Sequence, residues 1–236
     1  YDLDRFDESY LHLILWSRES RTIQGAYRLT ESGGGPLYTA SLFRFSPEFL
    51  PRLGPALELG RSFIRPEAQR GFHPLMLLWR GIGEFLARNP AIRRLFGPVS
   101  ISASYRPASR GLIARYLAAN HYDSALSKLV APRKPFALHT AAPWPEPTSI
   151  DDLDRLVRDI EPGAKGIPVL LRHYLKLNGR ICAFNLDPAF GNCLDGLIVV
   201  DLDSAPRQHL ARYVRPTLHS SPAGQPAPVF QNPSEP

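Results

Sequence analysis

Apolar residues recur along the chain either in short runs or every three to four residues, and Gly- and Pro-rich segments separate these blocks. Residues 10–16 and 22–30 are two apolar runs rich in β-forming residues. The polar segment between them predicts a β-hairpin. A Gly-rich turn follows at residues 33–36, and the segment that continues to Pro55 is predicted as a loop with short helical turns.

The remaining elements are predicted from the spacing of apolar residues, which differs between strands and helices. Strands are predicted over residues 57–64, 95–102, 180–187 and 194–201, and helices over residues 74–88, 108–120, 151–160 and 167–177. Ser149 or Asp151 is the predicted N-cap of the third helix. The Pro-rich residues 136–149 are predicted as a loop. This order of elements predicts a mixed α/β fold, with hairpins at both ends and helices between them.

The length of 236 residues fits one large domain. We expect that domain to span residues 1–215. Residues 216–236 are rich in proline and poor in apolar residues, which predicts a disordered tail. The chain starts with Tyr1, already inside an acidic motif, so we expect its N-terminus to be truncated.

Composition and charge indicate a cytoplasmic protein with an anionic partner. Hydrophobic residues make up 44% and charged residues 21%, and there is neither a run of eighteen apolar residues nor a signal peptide. The net charge is +6, and most of the basic residues are arginines. Such a surface suits an acidic carrier protein or the inner face of the plasma membrane, whereas no nucleic-acid-binding motif is present.

The cysteines and histidines predict no metal site. Cys182 and Cys193 form no Cys-x-x-Cys pair, and the seven histidines are scattered without metal-binding spacing. We interpret both cysteines as small core residues of a cytosolic protein, and a disulfide between neighbouring strands is the alternative.

Candidate chemistry is concentrated in the first seventy residues. An acidic motif contains Asp4 and Asp7, and Arg28 lies near the end of the second predicted strand. Glu58 and Arg61 lie within the apolar strand 57–64, where Gly60 between them suggests a β-bulge that would open a cleft. Glu58 is then a candidate general base for an amine. The alternative is a structural ion pair of Glu58 with Arg61 or Arg28.

A basic loop precedes the predicted helix 74–88. It contains Gln69, Arg70 and Gly71. A loop that ends in glycine at a helix start offers backbone N–H groups and the positive end of the helix dipole to an anion such as a phosphate. This signal is weak when taken alone.

Taken in order, these motifs resemble the ornithine-lipid type of N-acyltransferase. The similarity comprises the acidic motif at residues 4–7, "IQGAYRLT", "LELGRSFIRPEAQRG", "LLWRGI", "LFGPVSISASY" and the long block at residues 165–202. It covers residues 1–213. The same plan is similar to N-acyl amino acid synthases and, more remotely, to acyl-homoserine-lactone synthases.

The resemblance implies a GNAT fold with a mixed central sheet flanked by helices. It further implies transfer of an acyl or 3-hydroxyacyl chain from acyl carrier protein to the α-amine of an amino acid such as ornithine. The carrier-bound thioester is a co-substrate, and no cofactor is bound permanently. Glu58, Arg61 and Arg28 are the implied catalytic residues, Asp4 and Asp7 lie near the acceptor, and the Gln69–Gly71 loop contacts the pantetheine.

Two alternatives remain open. One is an enzyme like the acyl-homoserine-lactone synthases. The other is a GNAT-like module without activity that binds acyl carrier protein or a lipid surface. The sequence does not specify the acceptor, the acyl chain length or the oligomeric state.

Overall fold

The structure is a computed structural model that describes residues 3–69, 73–138 and 146–213. Eight strands are formed, namely β1 Leu11–Ser17, β2 Thr22–Glu31, β3 Phe43–Phe45, β4 Ala56–Ile64, β5 Arg94–Ile101, β6 Val130–Pro132, β7 Arg180–Asp187 and β8 Cys193–Asp201. The helices are α1 Thr39–Leu42, α2 Phe49–Leu53, α3 His73–Arg88, α4 Pro107–Asn120, α5 Ile150–Ile160, α6 Val169–Lys176 and α7 Arg207–Leu210.

Six strands form one central sheet in the order β1-β2-β4-β5-β8-β7. Every neighbouring pair in this sheet is antiparallel except β4 and β5, which run parallel. The short strands β3 and β6 pair in a separate two-stranded sheet. The predicted mixed α/β fold, with a central sheet flanked by helices, is therefore confirmed.

The alternation of side chains along β8 shows how the sheet divides two hydrophobic cores. Leu194, Ile198 and Val200 face a larger core, to which α3, α4, α5 and α6 contribute. Leu197 and Val199 face a smaller core beneath α1, α2 and the small sheet. A side chain that projects from the sheet therefore points either toward the long helices or toward α1 and α2.

The sequence predicted most of these elements to within two residues at each end. The first hairpin forms as β1 and β2, and Ser149 is the N-cap of α5, where its Oγ accepts a hydrogen bond of 3.1 Å from Asp152 N–H. Sequence patterns missed β3, β6 and α7, because elements of three or four residues are too short to show a period. Residues 139–145 of the predicted loop and the predicted tail lie outside the described residues.

Cys182 and Cys193 are free, buried thiols, as predicted. Cys182 packs in the smaller core, and Cys193 is the first residue of β8. Within the ranges that the structure describes, no helix is long and apolar enough to cross a membrane.

Candidate active site

The central sheet opens between its two parallel strands. β4 and β5 pair only at Ala56–Arg94, Leu57–Leu95 and Glu58–Phe96, although both strands continue beyond this point. Just past the last pair, Gly97 lies so close to β4 that a Cβ atom there would be 2.1 Å from the carbonyl oxygen of Leu59. The strands therefore touch at Gly97 and diverge beyond it, which leaves a cleft between their C-terminal halves.

A β-bulge interrupts β4 along this cleft. The pairing of β2 with β4 shifts from Ala26–Phe63 to Arg28–Gly60, so β4 carries one extra residue. The predicted bulge is therefore confirmed, but it is Arg61, not Gly60, that adopts a left-handed backbone with φ of 47°. Arg61 Nη2 lies 3.0 Å from Asp4 Oδ2. The bulge thus directs the Arg61 side chain toward the N-terminal acidic motif.

The cleft contains a cavity of about 660 Å³ whose walls differ in chemistry. One wall belongs to the larger core or packs against it, and its side chains are Leu59, Ile64, Leu75, Leu78, Leu170 and Tyr174. The other wall is polar, and its side chains are Tyr38, Arg61, Ser100, Asp187 and Asp195. The cavity can therefore hold an apolar chain against one wall and a charged group against the other.

Arg28 connects the acidic motif to the sheet. Its side chain is buried, and Nη1 lies 2.7 Å from Asp4 Oδ1 and 2.8 Å from Asp7 Oδ1. The guanidinium carbon lies 4.9 Å from the centroid of the Tyr10 ring and 5.3 Å from that of the Tyr38 ring. These contacts fix the N-terminal segment beside the cleft. Asp4, Asp7 and Arg28 do not themselves line the cavity.

The two aspartates of this network are ionised at neutral pH. Burial by itself would raise the pKa of Asp4, but hydrogen bonds from Arg28 and from Phe6 N–H outweigh it, so the pKa lies below its usual value. For Asp7 the largest cause is a hydrogen bond from Asp4 N–H, which lowers its pKa. The two guanidinium groups of Arg28 and Arg61 are thus paired with the two carboxylates of Asp4 and Asp7, so the network has no net charge.

Glu58 is buried beneath α1 and does not line the cavity. Its carboxylate accepts hydrogen bonds from the Tyr10 hydroxyl, from Tyr38 N–H at 3.2 Å and from Thr39 N–H at 2.6 Å. Burial and the Glu58 carboxylate raise the pKa of Tyr10 well above its ordinary value, so the hydroxyl keeps its proton and donates. These contacts hold the start of α1, and with it Tyr38, at the edge of the cavity.

Sequence reasoning missed the acidic residues of the polar wall. Asp195 is buried in the middle of β8, directly opposite Ser100 of β5. Ser100 Oγ donates to Asp195 Oδ1 at 2.5 Å, and Cys193 Sγ donates to the same oxygen at 3.4 Å. Burial raises the pKa of Asp195 to about 6. The available signal was a carboxylate within the otherwise apolar run of residues 193–200.

Asp187 lies at the end of β7, beside Asp195. Its Oδ1 accepts hydrogen bonds from Ala189 N–H at 2.9 Å and Phe190 N–H at 3.3 Å. Ligand atoms of Asp187, Cys193 and Asp195 lie within 4.8 Å of one another. Burial raises the pKa of the Cys193 thiol to about 12, so the thiol is protonated at neutral pH. Two carboxylates and a thiol therefore lie side by side next to the cavity.

Of the predicted pantetheine-side loop, Gln69 is the residue that the structure describes. It lines the cavity just before α3, and its Nε2 donates to the carbonyl oxygen of Ile64 at 2.8 Å. Arg70 and Gly71 lie outside the described residues. The loop therefore reaches the apolar side of the cavity through Gln69, and the predicted contact with an anion stays a prediction.

Comparison with known proteins agrees with this geometry. Residues 1–80 match the acetyltransferase (GNAT) domain family. Two similar proteins are the glycine N(alpha)-acyltransferases of Bacteroides thetaiotaomicron and Phocaeicola vulgatus, which are 28% and 26% identical to the chain. Both alignments cover 94% of the chain, and they cover 72% of the first relative's length and 75% of the second's. No solved structure gives a significant match.

The matched residues 1–80 include the acidic motif, Arg28 and the bulged strand β4, which forms one wall of the cleft. The GNAT part of the resemblance is thereby confirmed, while the ornithine-lipid type is a finer assignment that these matches do not reach. With this sheet, this cleft and these relatives, the chain is an acyltransferase with a GNAT-type fold.

Proposed function

We propose that the chain is an N-acyltransferase that moves an acyl or 3-hydroxyacyl chain from acyl carrier protein to the α-amine of an amino acid. The observation that carries this proposal is the cavity between β4 and β5, which has an apolar wall and a polar wall with two carboxylates. An acyl chain and an amino group can bind to these two walls at the same time.

The apolar wall is the proposed binding surface for the acyl chain. Leu59, Leu75 and Leu78 on this wall bury apolar surface, which favours a hydrocarbon chain by about 0.8 kcal/mol per methylene. Gln69 lies at the same side, next to the start of α3. The pantetheine arm of the carrier protein is therefore proposed to enter along the loop that contains Gln69, Arg70 and Gly71.

The polar wall is the proposed binding site for the amino acid. An α-amino acid carries an ammonium and a carboxylate, and the wall presents two carboxylates, Asp187 and Asp195, together with the guanidinium of Arg61. The curated relatives are glycine N(alpha)-acyltransferases, and the sequence resemblance points to ornithine. Glycine and ornithine are therefore the two acceptors to compare.

The reaction is direct attack of the amine on the thioester. The nitrogen lone pair forms a bond to the carbonyl carbon, and the carbonyl oxygen becomes an oxyanion. Backbone N–H groups of the bulged segment 59–62 are the proposed donors to this oxyanion, and one such donor contributes about 3 kcal/mol. Collapse restores the carbonyl and breaks the C–S bond. The amide and the pantetheine thiol leave, since one nitrogen proton passes to the sulfur, while the proton that the acceptor's ammonium lost before attack goes to solvent.

Neither cysteine is suited to form a covalent enzyme intermediate. Burial raises the pKa of the Cys193 thiol to about 12, and burial with the nearby Asp123 raises the pKa of Cys182 well above its usual value. Both thiols therefore stay protonated at neutral pH, and a protonated thiol is a poor nucleophile.

Peripheral contact with a membrane is part of this proposal, because the product is amphipathic. Ile14 of β1 and Phe63 of β4 are each 50% exposed and align across Ala26 of β2, and Phe63 also lines the cavity. Trp16, near the hairpin turn, is 52% exposed. Phe63 in the cavity lining, with the exposed Ile14 and Trp16 on the same hairpin side of the sheet, offers a route for an acyl product to reach a lipid surface.

The test is product formation by the purified chain. The chain is incubated with 3-hydroxyacyl and acyl thioesters of acyl carrier protein and with glycine or ornithine, and products are identified by mass spectrometry. We expect an N-acyl amino acid. A homoserine lactone from S-adenosylmethionine would support the lactone alternative, and thioester binding without any product would support a module that only binds.

A pair of glycine variants tests whether the cleft is the site. Gly60 lines the cavity and has open space where a Cβ atom would be, so Gly60→Phe is expected to fill the cleft and abolish amide formation. Gly33 also has open space but lies in the exposed turn after β2, so Gly33→Phe is the matched control and should retain activity. Full activity in folded Gly60→Phe would exclude this cleft.

A further inference from the structure

We propose that Asp195 is the catalytic residue that binds the acceptor's amino group and accepts a proton from its nitrogen as that nitrogen attacks the thioester. This inference rests on the proposed function and names the residue that activates the amine. It assigns the general base to β8, on the opposite side of the cleft from Glu58, which the sequence motif had favoured.

The position of Asp195 in the sheet supports this role. Its partner in the register is Ser100 of β5, so Asp195 lies on β8, directly behind the strand that forms the far side of the cleft. The residue is 2% exposed, yet it lines the cavity. Ser100 Oγ and Cys193 Sγ both donate to Oδ1, which fixes the carboxylate in one orientation. An amine that enters the cavity therefore meets a carboxylate that is already oriented.

The charged groups around Asp195 favour a cationic ligand. Asp187 at the end of β7 adds a second carboxylate within 4.8 Å of the Asp195 and Cys193 ligand atoms. Tyr38 lies at the start of α1, near both carboxylates. Burial is the largest cause that raises the pKa of its phenol to about 12, and the charges of Asp187 and Asp195 add to it. Arg61 of β4 completes the polar wall as its cation. The wall thus combines two acids, a neutral phenol, a serine hydroxyl and one guanidinium.

The pKa of Asp195, raised by burial to about 6, suits a base that works near neutral pH. Above pH 6 the carboxylate is ionised and can bind an ammonium. It is also basic enough to accept a proton once the nitrogen begins to bond to carbon, since that nitrogen becomes more acidic. An ammonium has no lone pair, so the bound acceptor first loses one proton to solvent. The carboxylate then accepts the second proton as the C–N bond forms and passes it to the thiolate sulfur as the C–S bond breaks.

Glu58 is less suited to this step because its oxygens are already engaged. Its carboxylate accepts hydrogen bonds from Tyr10, Tyr38 and Thr39, and the side chain does not line the cavity. The same contacts make Glu58 a positioning residue that holds Tyr38 at the cavity edge. Asp195 lines the cavity and can contact an acceptor there, whereas Glu58 cannot.

The experiment compares Asp195→Asn with Asp201→Asn. Asp201 ends the same strand and pairs with Arg94 away from the cavity, so its variant controls for a charge lost from β8. For Asp195→Asn we expect a decrease in kcat of about 100-fold or more. The rise in kcat/KM of the wild-type chain near pH 6 should disappear. Asn can still accept from Ser100, so the fold and thioester binding should persist.

Rescue distinguishes a base from a structural group. A weakly basic nucleophile such as hydroxylamine is largely unprotonated at neutral pH and needs no base, so Asp195→Asn should approach wild-type activity with it. If Asp195→Asn keeps the wild-type rate and pH profile with the amino acid, or if hydroxylamine fails to rescue a folded variant, the inference is overturned. Absence of amide from the wild-type chain with every acceptor would instead refute the proposed function.

Discussion

Glu58 and Asp195 are both carboxylates buried in strands of the central sheet, but their neighbours give them different roles. Glu58 accepts hydrogen bonds from two backbone N–H groups and a hydroxyl beneath α1. Asp195 faces a cavity and accepts from a hydroxyl and a thiol. A buried carboxylate with several donors stabilises the fold, whereas one that faces a cavity can bind a ligand.

Glu58→Gln is expected to destabilise the fold by about 1–3 kcal/mol. The amide group of glutamine replaces one acceptor oxygen with a donor, so either Thr39 N–H or the Tyr10 hydroxyl loses its acceptor, at about 1–3 kcal/mol for one unsatisfied group. Urea-induced unfolding measures the change in free energy. Glu84→Gln, on the exposed face of α3, is the control and should change stability by less than about 0.5 kcal/mol.

A different result for Glu58→Gln would change its assignment. If the variant had wild-type stability, bound the acyl thioester and still lost the pH-dependent step, then Glu58 and not Asp195 would be the base. The two residues are therefore distinguished by stability and pH profile together, rather than by activity alone.

At the scale of secondary-structure elements, the parallel strands β4 and β5 create the cleft. β4 and β5 pair over three positions and then diverge, and the bulge at Arg61 turns the β4 backbone along the opening. Gly97 permits the close approach at which the divergence begins. The geometry of the cleft therefore depends on one residue without a side chain.

Gly97→Ala is expected to reduce both stability and activity. Its Cβ would lie 2.1 Å from the Leu59 carbonyl oxygen, a backbone atom that cannot rotate away, so the strands must separate. We expect a loss of about 1–3 kcal/mol by thermal unfolding, with slower acyl transfer. Gly111→Ala in α4 meets open space and should instead be neutral or more stable by about 0.5–1 kcal/mol. Equal stability of the two variants would contradict this account of the cleft.

Charge acts at the scale of the whole molecule. The chain carries a net charge of +6, and a carrier protein of opposite sign would be attracted to it over distances longer than a hydrogen bond. This attraction would add to the contacts that we propose for the pantetheine arm inside the cleft. The carrier protein and a small thioester should therefore respond differently to salt.

Raising the salt concentration from about 0.1 M to about 1 M shortens the screening length from about 10 Å to about 3 Å. We expect KM for the acyl thioester of the carrier protein to rise several-fold, whereas KM for the uncharged acyl-pantetheine should change little. Steady-state kinetics with both donors measures the difference. An equal response of the two donors would argue against electrostatic recognition of the carrier.

The sequence by itself determined the local structure, because strands, helices and caps depend on residues that are close in the chain. The first hairpin, the Ser149 cap and the bulge beside Gly60 were all predicted from short patterns. The order of motifs also indicated a GNAT-type acyltransferase. The hairpin, the cap and the bulge follow from periodicity and glycine placement, whereas the acyltransferase assignment came from the resemblance to a known family.

Only the tertiary structure decided which of these residues meet. Pairing of β5 with β8 brings Asp195 next to Ser100, and the fold of α1 over β4 encloses Glu58. The sequence showed an acid in an apolar strand at both positions and could not tell which of them faces a cavity. Exposure to the cleft depends on strand order and on the divergence of β4 from β5, and these arise from contacts between residues distant in the chain.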